Sequence, residues 1–127
     1  MVPSVKRLIW VGSSREDLKK FPQEVRLAMG YALYLAQTGG KHPDAKPLKG
    51  FGGAGVLEIV DDFEGNAYRA MYTLKLESAV YVLHAFQKKS RKGIQTSKAD
   101  IELVKRRLSR AVEIHEELFG KSKGARK

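Results

Sequence analysis

The chain has 127 residues, 43% of them hydrophobic, which suits one domain with a single core and argues against disorder. Cysteine is absent, which excludes disulfides and thiolate chemistry, and no apolar run approaches the roughly 18 residues that would cross a membrane. Lys and Arg number 24 against 14 Asp and Glu, a net charge of +10, so a polyanion is the expected partner, nucleic acid first among them.

The first element is "VKRLIWV", residues 5–11, read as a strand. The stretch up to it lacks a long apolar core with a small-residue cleavage site, so no signal peptide is expected, and the lack of cysteine fits a cytoplasmic protein. Ser13 or Ser14 then caps a helix, with Ser14 and Asp17 spaced close to a capping box. Pro22 ends that helix and suits the first turn of the next. Val25, Ala28, Met29, Ala32, Leu33 and Ala36 recur at helical spacing, and Leu27, Tyr31, Tyr34 and Leu35 make a second stripe. A helix apolar on two sides is expected to be well buried, and Gly39 and Gly40 stop it.

Residues 41–55, "KHPDAKPLKGFGGAG", read as a loop; they lack the Lys-Ser/Thr ending of a phosphate-binding loop. "GVLEIVDDF", "AYRAMYTLKL" and "AVYVLHAF" follow, joined by short turns, and are expected to pair antiparallel. Ser97 caps a final helix over about 98–118, and "KSKGARK", residues 121–127, is expected to be a flexible basic tail after a single domain of residues 1–120. The order β-α-α-β-β-β-α predicts an α+β domain on a small, mostly antiparallel sheet.

The charge excess is lopsided: residues 1–63 carry 9 basic and 7 acidic side chains, residues 64–127 carry 15 and 7. "VYVLHAFQKKSRKG", residues 80–93, turns from apolar to basic. Strand alternation places Val80, Val82, His84, Phe86 and Lys88 on one face, and Ala67, Arg69, Met71 and Thr73 together on the preceding strand. Arg69 stands in an apolar strand, so its guanidinium must meet an open face or a carboxylate, and Glu58 is the nearest candidate. No acid occurs between Asn66 and Glu77 or between Ser78 and Ala99, so Arg69, His84 and Lys88 are expected to open onto one cationic hollow. Each also has a plain structural reading: a cross-strand ion pair for Arg69 with Glu58, a hydrogen-bonded core histidine for His84, a solvated loop for the basic run. His42, His84 and His115 lie far apart without the spacing of a metal-ligand set, so no metal and no cofactor is expected. His115 reads as a core or rim residue of the last helix.

"KPLKG…GVLEIV", "YRAMYTL" and "VYVLHAFQKKSRKG" followed by a helix resemble the RelE/ParE toxin superfamily, most of all its HigB-like, phage-derived branch. The resemblance covers about residues 5–118 and implies a RelE-like fold and a toxin that cleaves mRNA in the ribosome without a metal. It also implies a helix-turn-helix antitoxin, HigA-like, as partner. Cleavage by the 2′-hydroxyl needs a proton acceptor, a proton donor and a stabiliser of the charged phosphorane. Arg69 suits the last role, while His84, Lys88 and Glu58 are candidates for proton transfer. Lys46, Lys49, Lys89, Arg91 and Lys92 suit the RNA backbone, and Phe86 suits stacking on a base. Two further readings share the fold: an inhibitor of DNA gyrase, which binds without proton transfer, and an inactive homologue that only binds a partner.

Overall fold

Alternating apolar side chains and tight turns make residues 56–88 a three-stranded meander, and every other element is placed relative to it. A computed structural model of the chain describes residues 5–52, 55–88 and 96–120. The elements are β1 (Arg7–Trp10), α1 (Ser14–Lys19), α2 (Gln23–Gln37), β2 (Lys46–Pro47), β3 (Val56–Phe63), β4 (Asn66–Thr73), β5 (Ala79–Lys88) and α3 (Lys98–Phe119). Among the described residues the strands form one sheet in the order β1-β5-β4-β3-β2. The meander is antiparallel as expected, and β1 adds to β5 in parallel, from Arg7 opposite Ala79 to Trp10 opposite Val82. The expected basic tail, 121–127, lies outside the described residues.

The sheet carries a core on each face. Val25, Met29, Ala32, Leu33 and Ala36 of α2 pack with Leu57, Ile59, Tyr68, Ala70, Tyr72, Val80 and Val82. On the other face Val104 and Ala111 of α3 pack with Val56, Met71, Tyr81 and Leu83. The second stripe of α2 does not behave as expected: Leu27 is 66%, Tyr31 57% and Tyr34 52% exposed. A helix lying on a sheet buries one side, and no further layer covers the other side of α2 among the described residues. Its C-terminus follows expectation, since Gly39 adopts φ +92° and the amides of Gly39 and Gly40 bond the carbonyls of Ala36 and Leu35, a Schellman ending.

Three local readings change. Lys46 and Pro47 form a short edge strand within the expected loop, with Lys46 opposite Glu58. The Ser14–Asp17 capping box does not form: Ser13, one of the two serines expected as cap, holds the N-cap position of α1, and Ser14 is fully buried and donates its hydroxyl to the Val82 carbonyl at 3.0 Å. The third change affects the site. Tyr72 pairs with Val82 but Met71 with His84, so Leu83 is an extra residue and β5 carries a bulge. Val80 and Val82 therefore face α2, whereas beyond the bulge His84 turns toward α3. The expected single face from Val80 to Lys88 is broken by that inserted residue.

Candidate functional site

The bulge turns His84, Phe86 and Lys88 to the same side of the sheet as Arg69. The register places Arg69 opposite Phe86, Ala67 opposite Lys88 and Met71 opposite His84. Arg69 and His84 are therefore diagonal neighbours, roughly 7–8 Å apart in such a register, and Glu58 lies opposite Met71 on the neighbouring strand β3.

Arg69 is buried and Glu58 half-buried. The Arg69 Nη1 donates to Glu58 Oε2 at 2.8 Å, and the Thr96 hydroxyl donates to the same oxygen at 2.8 Å. The carboxylate expected beside Arg69 is therefore present, held by a hydroxyl from the start of α3. The pair borders a cavity of about 410 Å³, lined also by Lys46, Lys49, Pro47, Leu48, Thr96 and Ile101. Both lysines are exposed at its rim. Lys46 arrives there because β2 pairs it opposite Glu58; Lys49 follows in the turn after the strand. The arrangement offers three cationic side chains around an opening with an apolar wall, suited to a phosphate with its attached sugar or base.

His84 is not part of this cavity. Its Nε2 meets Asp100 Oδ1 at 2.8 Å, its ring stacks on Phe86 at 4.7 Å, and it borders a second cavity of about 310 Å³ with Asp17, Lys20, Phe21 and Gln87. The expectation of one shared hollow is thus corrected. Arg69, Glu58, Lys46 and Lys49 come together; His84 and Phe86 lie beside them on the same face but open elsewhere, because the first turn of α3 sets Asp100 against His84 and Ile101 against the first cavity. Lys88 lies close enough to Asp100 to act on its charge. Lys89, Arg91 and Lys92 lie outside the described residues.

Burial by itself would raise the Asp100 carboxyl. Hydrogen bonds with His84 and Ser97 and the charges of His84 and Lys88 outweigh it and hold the group below the ordinary carboxylate range. No phenol takes part. Tyr72 points into the α2 core with its hydroxyl buried and pushed up to about 12 by that burial, and Tyr81 bonds His115 Nδ1 at 3.0 Å. His115, read as a core or rim residue, is buried there. Among the described residues no three His, Asp or Glu side chains are grouped as metal ligands, and no helix is long and apolar enough to cross a membrane.

Thr96 and Asp100 hold the Glu58 and His84 side chains and were not among the site residues expected from the sequence. The usable signal was the Ser97–Asp100 spacing, a carboxylate three residues beyond a helix cap.

The phage-derived Gp49-like protein family (DUF891) matches residues 16–109, a span that includes Glu58, Arg69, His84, Lys88 and Asp100. The chain belongs to this family. The match agrees with the phage-derived branch that the strand motifs resemble. A mutant of the Escherichia coli toxin RelE in its free state has a similar structure, at 16% identity and a TM-score of 0.53, covering 84% of this chain and 97% of that one. This Gp49-like protein therefore has the RelE fold. The RelBE2 toxin–antitoxin complex of Mycobacterium tuberculosis is a more distant likeness, at 24% identity and a TM-score of 0.45, covering 71% of this chain and 97% of the matched one. No curated protein matches the sequence.

Proposed function

We propose that this Gp49-like protein is the toxin of a type II toxin–antitoxin module and cleaves mRNA on the ribosome without a metal ion. The observation that carries the reading is the cavity in which buried Arg69 stands with Lys46 and Lys49 at the rim. In this reading the lysines hold the RNA backbone and Arg69 faces the scissile phosphate. The 2′-oxygen forms a bond to phosphorus as the bond to the 5′-oxygen breaks, leaving a 2′,3′-cyclic phosphate and a 5′-hydroxyl. The RNA spans both cavities in this scheme: His84, the diagonal neighbour of Arg69 on the same face, takes the 2′-hydroxyl proton, Lys88 supplies the proton that the 5′-oxygen needs, and Phe86 stacks on a neighbouring base. Glu58 already accepts two hydrogen bonds on one oxygen, so its part is to orient Arg69 rather than to accept a proton. A HigA-like antitoxin and the ribosome are the partners, which places the action in the cytoplasm.

The test is expression of the chain without any antitoxin, following growth and mapping mRNA 5′ ends. Growth arrest with new 5′ ends in translated messages supports the proposal. Lys46→Ala with Lys49→Ala, both exposed, should relieve the arrest while leaving the fold intact. Unchanged 5′ ends in arrested cells would refute nuclease action.

A gyrase-binding toxin is the second reading. It is favoured by one observation, the separation of His84 from the cationic cavity, since a binding toxin needs no proton-transfer group beside Arg69. It predicts DNA breaks and an SOS response with intact mRNA.

A further inference from the structure

The start of α3 is fastened to the sheet by a relay of three side chains. Ser97 caps the helix, accepting from the Asp100 amide at 3.1 Å, and its own hydroxyl donates to Asp100 Oδ2 at 2.7 Å. The other carboxylate oxygen, Oδ1, lies 2.8 Å from His84 Nε2. In an ordinary capping box the acid three residues into the helix turns back to the cap's own backbone amide. Here it reaches out to a side chain on β5 instead. His84 Nδ1 is buried and has no hydrogen-bond partner among the described residues. A buried ring nitrogen without a partner is a free-energy cost that a hydrogen-bond donor reaching it would recover.

We infer that Asp100 is a positioning residue for His84: its Oδ1 accepts a hydrogen bond from Nε2–H, holds the ring against Phe86, and so fixes Nδ1 as the nitrogen that carries no hydrogen. The inference rests on the proposed role of His84 in proton transfer. Asp100 touches no substrate in this scheme. It acts by fixing which nitrogen carries hydrogen, as a carboxylate behind a histidine does in other general-base sites. Ser97 in turn fixes the carboxylate, which gives a hydroxyl at a helix cap a part in the site. The other charged groups around the ring are Lys88 on β5, Asp17 and Lys20 across the second cavity on α1 and its end, and Arg107 of α3, whose Nη1 donates to the Leu83 carbonyl at 3.0 Å.

Two measurements on the full chain test this. Ring-nitrogen NMR of the labelled chain, with His84 assigned from His84→Gln, reads the tautomer directly. The parent should show hydrogen on Nε2 alone when the ring is neutral. Asp100→Ala should give a mixture, and Asp100→Glu should restore part of the preference. If Asp100→Ala fails to fold, Asp100→Asn, which keeps the side chain's size and removes its charge, gives the same comparison. An unchanged tautomer in the substituted chain overturns the inference.

The second measurement is ribosome-dependent cleavage by His84→Gln, Asp100→Ala and the double variant. If Asp100 works through His84, each single change loses about 10²-fold and the double is no worse than His84→Gln alone. Multiplying losses, about 10⁴-fold in the double variant, would show an independent role for Asp100 and overturn the inference. No cleavage by the parent chain, with the tautomer still set by Asp100, would remove the nuclease reading and support the positioning.

Discussion

Glu58 and Arg69 make the most exacting test of how this sheet tolerates charge. The Arg69 side chain is 7% and the Glu58 side chain 17% exposed, so both have left most of their water behind. Glu58→Leu removes the carboxylate that the buried Arg69 guanidinium bonds at 2.8 Å. Breaking such a pair typically costs 3–5 kcal/mol, and the remaining exposure of Glu58 toward the cavity puts this case near the lower end, about 3 kcal/mol. Arg69→Met should cost less, about 1–2 kcal/mol, because the carboxylate left behind keeps the Thr96 hydroxyl and opens toward the cavity. The double variant replaces the pair by two apolar side chains of similar size and should return to within about 1 kcal/mol of the parent, because neither ion is then left desolvated. The coupling between the sites is then about 3–5 kcal/mol. Urea unfolding measures it: with a slope of roughly 1.5–2 kcal/mol per molar, Glu58→Leu should lower the midpoint by about 1.5–2 M, most of it regained in the double variant. Additive losses in the two single variants and their combination would refute the claim that each charge is held in the sheet by the other.

Two further outcomes follow from local geometry. Gly12 sits at φ +60°, and a Cβ there would lie 2.7 Å from Arg107 Nε, whose guanidinium bonds the Leu83 carbonyl and the Ser13 hydroxyl; Gly12→Ala should cost about 2–3 kcal/mol in unfolding experiments, through strain and the displaced arginine. Burial raises the Asp61 carboxyl, helped by the charges of Asp62 and Asp44, so its ionised form is disfavoured in the folded chain. A raised carboxyl pKa means the folded state holds its proton longer than the unfolded one, so this group weakens the fold as pH rises through the native pKa. Asp61→Asn should therefore stabilise the protein at pH 7 and lose that advantage below about pH 4, as thermal melting at the two pH values would show.

The sequence on its own determined the meander, the caps and the chemistry available to the site. Alternation in "VLEIV" and "AYRAMYT" separates Glu58, Arg69 and Met71 from the α2-facing residues, and the structure keeps that division, because strand side chains alternate whatever their neighbours are. The need of a buried guanidinium for a carboxylate pointed to Glu58 before any coordinates did. The tertiary structure alone decided where β5 changes face, since a bulge is an extra residue relative to a partner strand and leaves no mark in the strand's own pattern. It also decided that one side of α2 stays open, because burial depends on what packs above a helix and not on its apolar count. Finally, the docking of α3 set Asp100 on His84 and Thr96 on Glu58, contacts 16 and 38 residues apart along the chain. Sequence spacing governs contacts within a strand or helix turn; long-range hydrogen bonds arise only when separate elements are packed together, and here that packing divided the expected single hollow into two.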